Sequence, residues 1–497
     1  MADPQPVDVV VIGGGVAGLV VARQLAHLGQ SVVVVEARDT LGGFVATHEV
    51  AGVRLDSGAE SFATRKGTVA ALATDVGLAD AIVTPNPAGA WVAWNGGSAP
   101  LPAAGILGIP GVPLADDVRR VIGWRGALRA YLDRLMPIVR VRPETDLGDI
   151  VRRRMGRLVL ERLVLPVVAG VHSADPSVVD VHTVAPGLTQ AMTTQGSLSG
   201  AVMALREQAP AGSQVQGIAG GMFRLIEALE ADCRFFGVQF RTGTRVAAIA
   251  RSTDAAGEPS GFTVDTEPAD SAITGPDAAE TLQARAVVVA TGFRPGLELL
   301  GEAGLAQALA APEEWPDPAS VTLATLVIDD ARLDARPRGT GVLVAPGTPG
   351  VTAKAITHSS AKWEWLADSL PAHRHVLRLS YGRRNAASAD SVDTSDGQVV
   401  DRETAVQDAS ALLGVPLADA DVAGFAVTRW DDSLAFATVG HKARVRQALD
   451  AVAEVPGLEV VGAWVSGTGL AATVEHARST ASGLAAELRG DRRIDGD

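Results

Sequence analysis

Cysteine is almost missing: Cys233 is the only one in 497 residues. That excludes an internal disulfide and any cysteine cluster for zinc or iron–sulfur, so the chain neither requires nor reveals an oxidising compartment. Aromatic residues are also scarce, at 4%, although hydrophobic residues reach 47%. The apolar content is therefore mostly Ala, Val and Leu, which suits α/β layers and argues against a disordered chain. Long apolar runs are absent too. The nearest approach to the roughly 18 residues of a membrane span is Leu158 to Val171, and Glu161 and Arg162 interrupt it. Met1 to Pro6 carries no basic residue and runs straight into a strand-like segment, so no secretory signal is expected and cytoplasm is the default location.

Basic charge is in deficit, with 43 Lys plus Arg against 57 Asp plus Glu and a net charge of −14. That surplus of acid repels a phosphate backbone unless the basic residues are gathered in one place, which argues against nucleic acid as a partner. Lysine occurs only at 66, 354, 362 and 442, a bias read first as genome composition. At roughly 150 residues per domain, the length implies two or three domains with a large core.

What is present begins at the start of the chain. Val7 to Ile12 is a β-branched run, Gly13 to Gly18 a glycine turn, Leu19 to Leu28 a helix ending at Gly29, and Ser31 to Val35 a second buried strand. Gly13-x-Gly15-x-x-Gly18 thus follows a strand and opens a helix, with Glu36 at the tip of the next strand. Gly13 permits the tight turn, Gly15 the approach of a pyrophosphate, and Gly18 close helix–sheet packing. The helix N-terminus offers its N–H groups to the phosphates, and Glu36 accepts from ribose hydroxyls. A dinucleotide site is expected.

Three further glycine sites decide which dinucleotide. Glu36-Ala37-Arg38 leads into Gly42-Gly43; Ala284 to Ala290 is a buried strand ending in Thr291-Gly292; and Leu458 to Val461 leads into Gly462, Ser466-Gly467 and Gly469, then a helix from Leu470 to Arg489. Three glycine-rich strand ends suit an extended FAD lying across the sheet. The final helix, if its N-terminus faces the flavin N1–C2=O edge, favours the anionic reduced flavin.

The intervening chain divides as follows. Residues 1–84, 211–299 and 421–497 are read as three parts of the FAD domain, 85–210 as a helical insertion and 300–420 as a substrate-binding domain. The fold class expected is α/β: a Rossmann-like FAD-binding domain built from discontinuous segments, a mixed α+β substrate domain and a helical inserted domain. Val238 to Ala250, Ser320 to Ile328 and Val376 to Tyr381 read as strands, Thr404 to Leu413 as a helix, and Ser252 to Gly275 as a hairpin or loop. Twelve arginines fall between Arg119 and Arg162. Clusters such as Arg152-Arg153-Arg154 beside Leu158 to Leu165 are read as a solvated helix face, with an anionic membrane surface as the alternative. His373-Arg-His375 lacks a third ligand in sequence and is read as a surface loop, so no metal is expected.

The chain resembles the flavin-containing amine oxidase superfamily in Val9 to Leu19, Glu36 to Gly43, Asp56-Ser-Gly58-Ala59-Glu60-Ser61-Phe62, Ala290-Thr291-Gly292 and Gly462 to Glu475. Within it, the protoporphyrinogen or coproporphyrinogen III oxidase family is resembled by Pro166 to Pro176, Gly217 to Met222, Ser359-Ser360-Ala-Lys362-Trp363, Val376 to Arg383, and Arg429-Trp430 through Gly440-His441. His172 stands where that family usually has an aromatic residue, Phe44 where many superfamily members have a basic one, and the usual Pro and Tyr are missing from Asp431 to Thr438.

The resemblance implies an enzyme of haem biosynthesis that oxidises a porphyrinogen by three hydride transfers to flavin N5, with molecular oxygen as acceptor and hydrogen peroxide as product. Coproporphyrinogen III is the leading substrate and protoporphyrinogen IX the alternative; a ferrochelatase is the implied recipient of product. Gly58, Ala59, Glu60, Ser61, Val246, Thr291, Trp430 and Leu470 join the glycines as implied cofactor contacts. Arg65, Lys66 and Lys354 are expected to meet substrate carboxylates, with Val171, Leu343 and Phe62 as apolar walls and His172 as the one candidate acid or base. Amine oxidases, desaturases and a porphyrin-carrying flavoprotein remain rivals. Cys233 lies far from the C-terminal glycines where a flavin tether would be needed, and tyrosine occurs only at 131 and 381, which weighs against an amine substrate.

Overall fold

The computed structural model describes residues 7–137, 146–172, 175–208, 215–253, 259–270, 279–315, 320–382, 400–431, 438, 440–467 and 469–494. Two seven-stranded sheets organise it. In the first, Gln239–Arg241, Val32–Val35, Val7–Ile12 and Glu280–Val289 run parallel in that order, and Leu458–Val460 adds in parallel to Glu280–Val289. Pro259–Pro268 and Thr244–Thr253 extend it as an antiparallel hairpin, so the polar stretch after Ser252 does contain a hairpin strand.

The valine runs explain why this sheet is buried on both faces. Val9, Val11, Val32, Val34 and Val288 enter one core beneath the helices Val16–His27, Phe223–Phe235 and Leu470–Ile494. Val10, Ile12, Val33, Val35, Val287 and Val289 enter the opposite core, covered by Phe293–Leu300 and His441–Ala453. Strand side chains alternate between faces, so a sheet covered on both sides needs apolar residues at every position.

The second sheet runs Val422–Trp430, Val321–Asp329, Arg374–Tyr381, Ala355–His358, Gly341–Val344, Trp91–Trp94, Gly97–Pro100. Its pairs are antiparallel except that Gly341–Val344 and Trp91–Trp94 are parallel. Strand pairing thus carries Trp91–Pro100 and Val422–Trp430 into one sheet with the residues of 300–420, across the boundaries expected from sequence. The helix Arg402–Leu413 packs on one face of that sheet through Ala405, Ala409, Leu412 and Leu413.

Helices Asp116–Tyr131, Leu147–Met155, Leu165–His172, Leu188–Gln195 and Leu198–Gln208 form a separate core around Val121, Leu147, Val159, Leu163, Leu188 and Leu198. Here the arginine-rich segment departs from a simple solvated face. Arg154 turns inward, donating to Asp133 at 2.6 Å and to the carbonyls of Asp133 and Met136 at 2.8 and 3.1 Å. Asp133 also accepts from the N–H groups of Leu198 and Ser199 at 3.1 and 2.9 Å, so it caps the helix Leu198–Gln208. Leu158 to Leu165 contributes core side chains. No helix among the described residues is long and apolar enough to cross a membrane.

Removing one member of a buried, hydrogen-bonded ion pair strands the other. Asp133→Ala is therefore expected to lower unfolding free energy by about 3–5 kcal/mol, read as a shift in the denaturant midpoint.

Candidate active site

The glycine turn is dictated by contact. Gly13 has φ +110°, and a Cβ there would lie 2.7 Å from the carbonyl oxygen of Ala290. A Cβ on Gly18 would lie 1.9 Å from the carbonyl oxygen of Gly13, which fixes how closely the helix Val16–His27 meets the strand. Gly15 caps that helix with extended backbone, no side chain caps its first turn, and no acid stands there. The opening N–H groups thus present an electropositive end suited to a pyrophosphate. Gly42 donates to the carbonyl of Gly14 at 2.8 Å and bridges Gly15, which sets Gly43 beside the same turn.

Glu36 does more than the ribose role expected of it. Its carboxylate accepts from the N–H of Gly14 at 2.6 Å and from the N–H of Arg38 at 2.9 Å, bracing the turn from behind. A carboxylate has about four lone-pair sites, so acceptor capacity remains for ribose hydroxyls. Exposed Ala37 and Arg38 follow, and Thr244 donates to the carbonyl of Glu36 at 3.0 Å. Val246, two residues on, is largely buried in the adjoining core.

The other cofactor segments converge at strand ends. Gly292 begins the helix Phe293–Leu300 directly after Val289-Ala290-Thr291. Gly462, at φ +135°, accepts from the N–H and hydroxyl of Ser466 at 3.0 and 2.9 Å. Gly467 and Gly469 have φ +97° and +106°, and the long helix starts at Leu470. A Cβ built at Gly292, Gly467 or Gly469 meets no atom within 4 Å, and one at Gly15 comes no nearer than 4.0 Å. Those four glycines therefore border open space, whereas Gly13, Gly18 and Gly42 are fixed by their own backbone neighbours.

Asp56 to Ser61 joins the two sheets. A Cβ on Gly58 would lie 2.0 Å from the carbonyl oxygen of Phe44. Trp430 donates its indole N–H to the carbonyl of Ser57 at 2.8 Å, meets the Phe44 ring in a tilted contact at 5.2 Å, and has the Arg38 guanidinium 5.1 Å above it. Phe44, standing where a basic residue was usual, thus makes an aromatic contact. Glu60 is gripped from the second sheet and the short helix Ser359–Lys362 that follows its strand Ala355–His358: Lys362 Nζ donates to it at 2.5 Å, Ser359 at 3.5 Å, and Arg378 of the strand Arg374–Tyr381 lies 3.5 Å away. Arg378 also donates to the carbonyl of Gly58 at 2.7 Å. Burial alone pushes the Glu60 carboxyl up, but Arg378 and Lys362 outweigh it and hold it down to about 2. Asp56 goes the other way: burial pushes it up to about 6, even though it accepts from the N–H groups of Met222 and Phe223.

The expected substrate residues are less gathered. Leu343 does meet the helix Leu165–His172, since a Cβ on Gly170 would lie 2.7 Å from its Cδ2. Phe62 is buried in the core, Lys354 is 2% exposed, and Lys66 is exposed and paired with Glu475. The side chains of Arg65, Val171 and His172 lie outside the described residues, as do Arg383 and most of Asp431 to Thr438. His375 is not in a surface loop: it sits in the strand Arg374–Tyr381, 3.1 Å from His358 and 3.0 Å from Asp334. Asp334 also meets His373 at 2.7 Å, yet no group of three or more His, Cys, Asp or Glu among the described residues has the arrangement to hold a metal. Lys362, Ser359 and Arg378 lie in segments that resemble the family, yet nothing local in the sequence marks them as partners of Glu60.

The sequence profile of the flavin containing amine oxidoreductases matches residues 16–488, and the chain belongs to that family. Among curated relatives, the coproporphyrinogen III oxidase of Bacillus subtilis (strain 168) is 24% identical over 95% of this chain and 97% of its own length. That of Mycobacterium tuberculosis (strain ATCC 25618 / H37Rv) is 28% identical over 93% and 94%. The chloroplastic protoporphyrinogen oxidase of Nicotiana tabacum is 27% identical over 96% of this chain and 85% of its length. The fold recurs in a solved protein of Exiguobacterium sp. 255-15, with TM-score 0.78, 24% identity and coverage of 97% and 99%. It recurs also in cyclohexylamine oxidase from Brevibacterium oxydans IH-35A, with TM-score 0.64, 17% identity and coverage of 97% and 100%.

This protein is an FAD-dependent oxidoreductase, and its residues fit that cofactor. The uncapped helix end at Gly15, with Gly43 packed beside it, and the open glycines at 292, 467 and 469 would hold it, with Glu36 toward the ribose.

Two variants test the site. Gly18→Ala is expected to yield protein lacking bound FAD, measured as the ratio of flavin to protein absorbance. Glu60→Gln leaves two largely buried cations with a weaker acceptor and is expected to cost about 3 kcal/mol in denaturant unfolding near neutral pH. Because the folded Glu60 titrates near 2 against an ordinary 4.5, its contribution is present above about 4.5 and lost as pH falls through that window, so the deficit of the variant should shrink there.

Proposed function

We propose that this protein oxidises coproporphyrinogen III to coproporphyrin III in haem biosynthesis, with molecular oxygen as acceptor. The observation that carries the reading is the alignment of curated coproporphyrinogen III oxidases over 93–95% of the chain, spanning the cofactor segments and the sheet that grips Glu60. Removal of six hydrogens takes three two-electron rounds, each releasing a hydride from a bridge carbon and one proton. Bound FAD supplies the two-electron acceptor, and oxygen carries the electrons away as hydrogen peroxide.

The chain's own residues then bind, orient and exclude water. The helix beginning at Leu470 directs its positive end toward the open space bordered by Gly467 and Gly469, where it favours developing negative charge. Arg378 and Lys362 hold Glu60 ionised and keep Gly58 to Ser61 in one geometry. Leu343 and the helix Leu165–His172 are assigned to the apolar wall, with Val171 on that helix and His172 as its one acid–base group. Arg65, Lys66 and Lys354 are assigned to the substrate carboxylates, the last only with movement that opens its buried ammonium. Protoporphyrinogen IX is the second reading, favoured by the Nicotiana tabacum relative.

A cytoplasmic location and transfer of product to a ferrochelatase accompany this reading. Peripheral contact with an anionic membrane surface is supported by an exposed apolar stripe, Trp124, Leu128, Leu132 and Leu135, at 47–75% exposure. Trp124 and Leu128, four apart, share one face of the helix Asp116–Tyr131, and Leu132 and Leu135, three apart, share one side of the 3-10 turn that continues it.

The test is aerobic turnover of FAD-loaded protein on coproporphyrinogen III and protoporphyrinogen IX in parallel, following porphyrin fluorescence and peroxide. Faster turnover of the four-carboxylate substrate, with about three peroxides per porphyrin, is expected. Failure to oxidise either, with flavin bound and reducible, overturns the reading; tight porphyrin binding without peroxide would make the protein a carrier.

A further inference from the structure

We infer that Glu475 is a specificity-determining residue that competes with a substrate carboxylate for the ammonium of Lys66. The inference rests on the porphyrinogen reading above and names a residue that reading leaves without a role.

Lys66 Nζ lies 2.8 and 3.0 Å from the two carboxylate oxygens of Glu475, and the two side chains are 64% and 53% exposed. Both arms grow from cofactor segments. Lys66 follows the Gly58 to Phe62 segment, in the short turn Arg65–Gly67, and Glu475 stands just past the first turn of the helix that starts after Gly469. Lys66 itself adopts φ +57°, a left-handed backbone that a lysine occupies only under constraint from its surroundings.

The pair is not required to hold the helix in place. Arg478, one turn on, already binds Asp75 at 2.6 Å, and Val474 and Ala477 are wholly buried beside Glu475. An exposed ion pair of this kind is worth at most about five-fold in an equilibrium, because water solvates both partners when it opens. A ligand carboxylate can therefore displace Glu475 without stranding a buried charge. While the pair is closed, Glu475 neutralises the cation and repels anionic ligands. A macrocycle with four carboxylates offers more replacements for Glu475 than one with two, so the pair acts on the choice between substrates.

The experiment uses full-length, FAD-loaded protein as wild type, Glu475→Gln, Lys66→Gln and the double variant. Binding of coproporphyrin III and of protoporphyrin IX is read by fluorescence, and KM and kcat with the corresponding porphyrinogens. Glu475→Gln is expected to bind coproporphyrin III about two- to five-fold tighter, with a smaller change for protoporphyrin IX and the kinetic effect in KM. Lys66→Gln weakens coproporphyrin III, and adding Glu475→Gln to it changes nothing further. Unchanged coproporphyrin III binding in a Glu475→Gln protein of normal FAD content overturns the inference and leaves the porphyrinogen reading intact. So does an effect of Glu475→Gln that persists without Lys66. A wild type that neither binds nor oxidises any of these macrocycles defeats the porphyrinogen reading itself, and the role of Glu475 with it.

Discussion

A largely buried carboxylate ties the cofactor side of this molecule to the second sheet, over an apolar cluster in which Val50 and Leu55 meet Val327, Trp363 and Leu366. Glu60 extends from the Asp56 to Ser61 segment of the cofactor side toward two cations, Arg378 on a strand of the second sheet and Lys362 on the short helix Ser359–Lys362 that follows the strand Ala355–His358. An ionised carboxylate in such a setting is costly unless its oxygens are satisfied and its charge matched. Two cations and the Ser359 hydroxyl meet that demand, and Arg378 adds a hydrogen bond to the Gly58 carbonyl. The position of the loop is therefore set by electrostatics across the domain joint, with Trp430 adding a neutral tie to Ser57.

The cofactor cradle works on a different principle. Gly13, Gly18 and Gly42 are demanded by backbone atoms of the protein itself, while Gly15, Gly292, Gly467 and Gly469 face open space. The first set closes the strands and helices tightly enough to bring the second set to one edge of the sheet. The helix that starts at Val16 has no side-chain cap and no first-turn acid, which leaves its N-terminal groups for a phosphate. Covering both sheet faces with apolar cores keeps those strand ends rigid, and rigid elements hold a site more accurately than loops do.

Local chemistry made much of this legible from sequence. The valine runs, the spaced glycines and Glu36 lie within a few dozen residues, and each carries its own periodic or steric signature. The helix begins at Val16 rather than Leu19 because the cap is the backbone of Gly15, which leaves no side-chain signal. Distance in sequence hid the rest. Lys362 and Arg378 lie about 300 residues from the loop they hold, and Lys66 meets Glu475 across 409 positions. Arg154 reads as one of three surface arginines until Asp133 is seen packed against it. His375 reads as part of a loop until the strand Arg374–Tyr381 places it beside His358.

The central claim is that a porphyrinogen gives its hydrogens directly to the FAD this chain holds. Anaerobic mixing of FAD-loaded protein with coproporphyrinogen III isolates that step from oxygen. The account predicts loss of the oxidised-flavin absorbance together with the rise of porphyrin fluorescence, and recovery of the flavin spectrum when air is admitted. A flavin that dithionite reduces but coproporphyrinogen III and protoporphyrinogen IX both leave oxidised would contradict it.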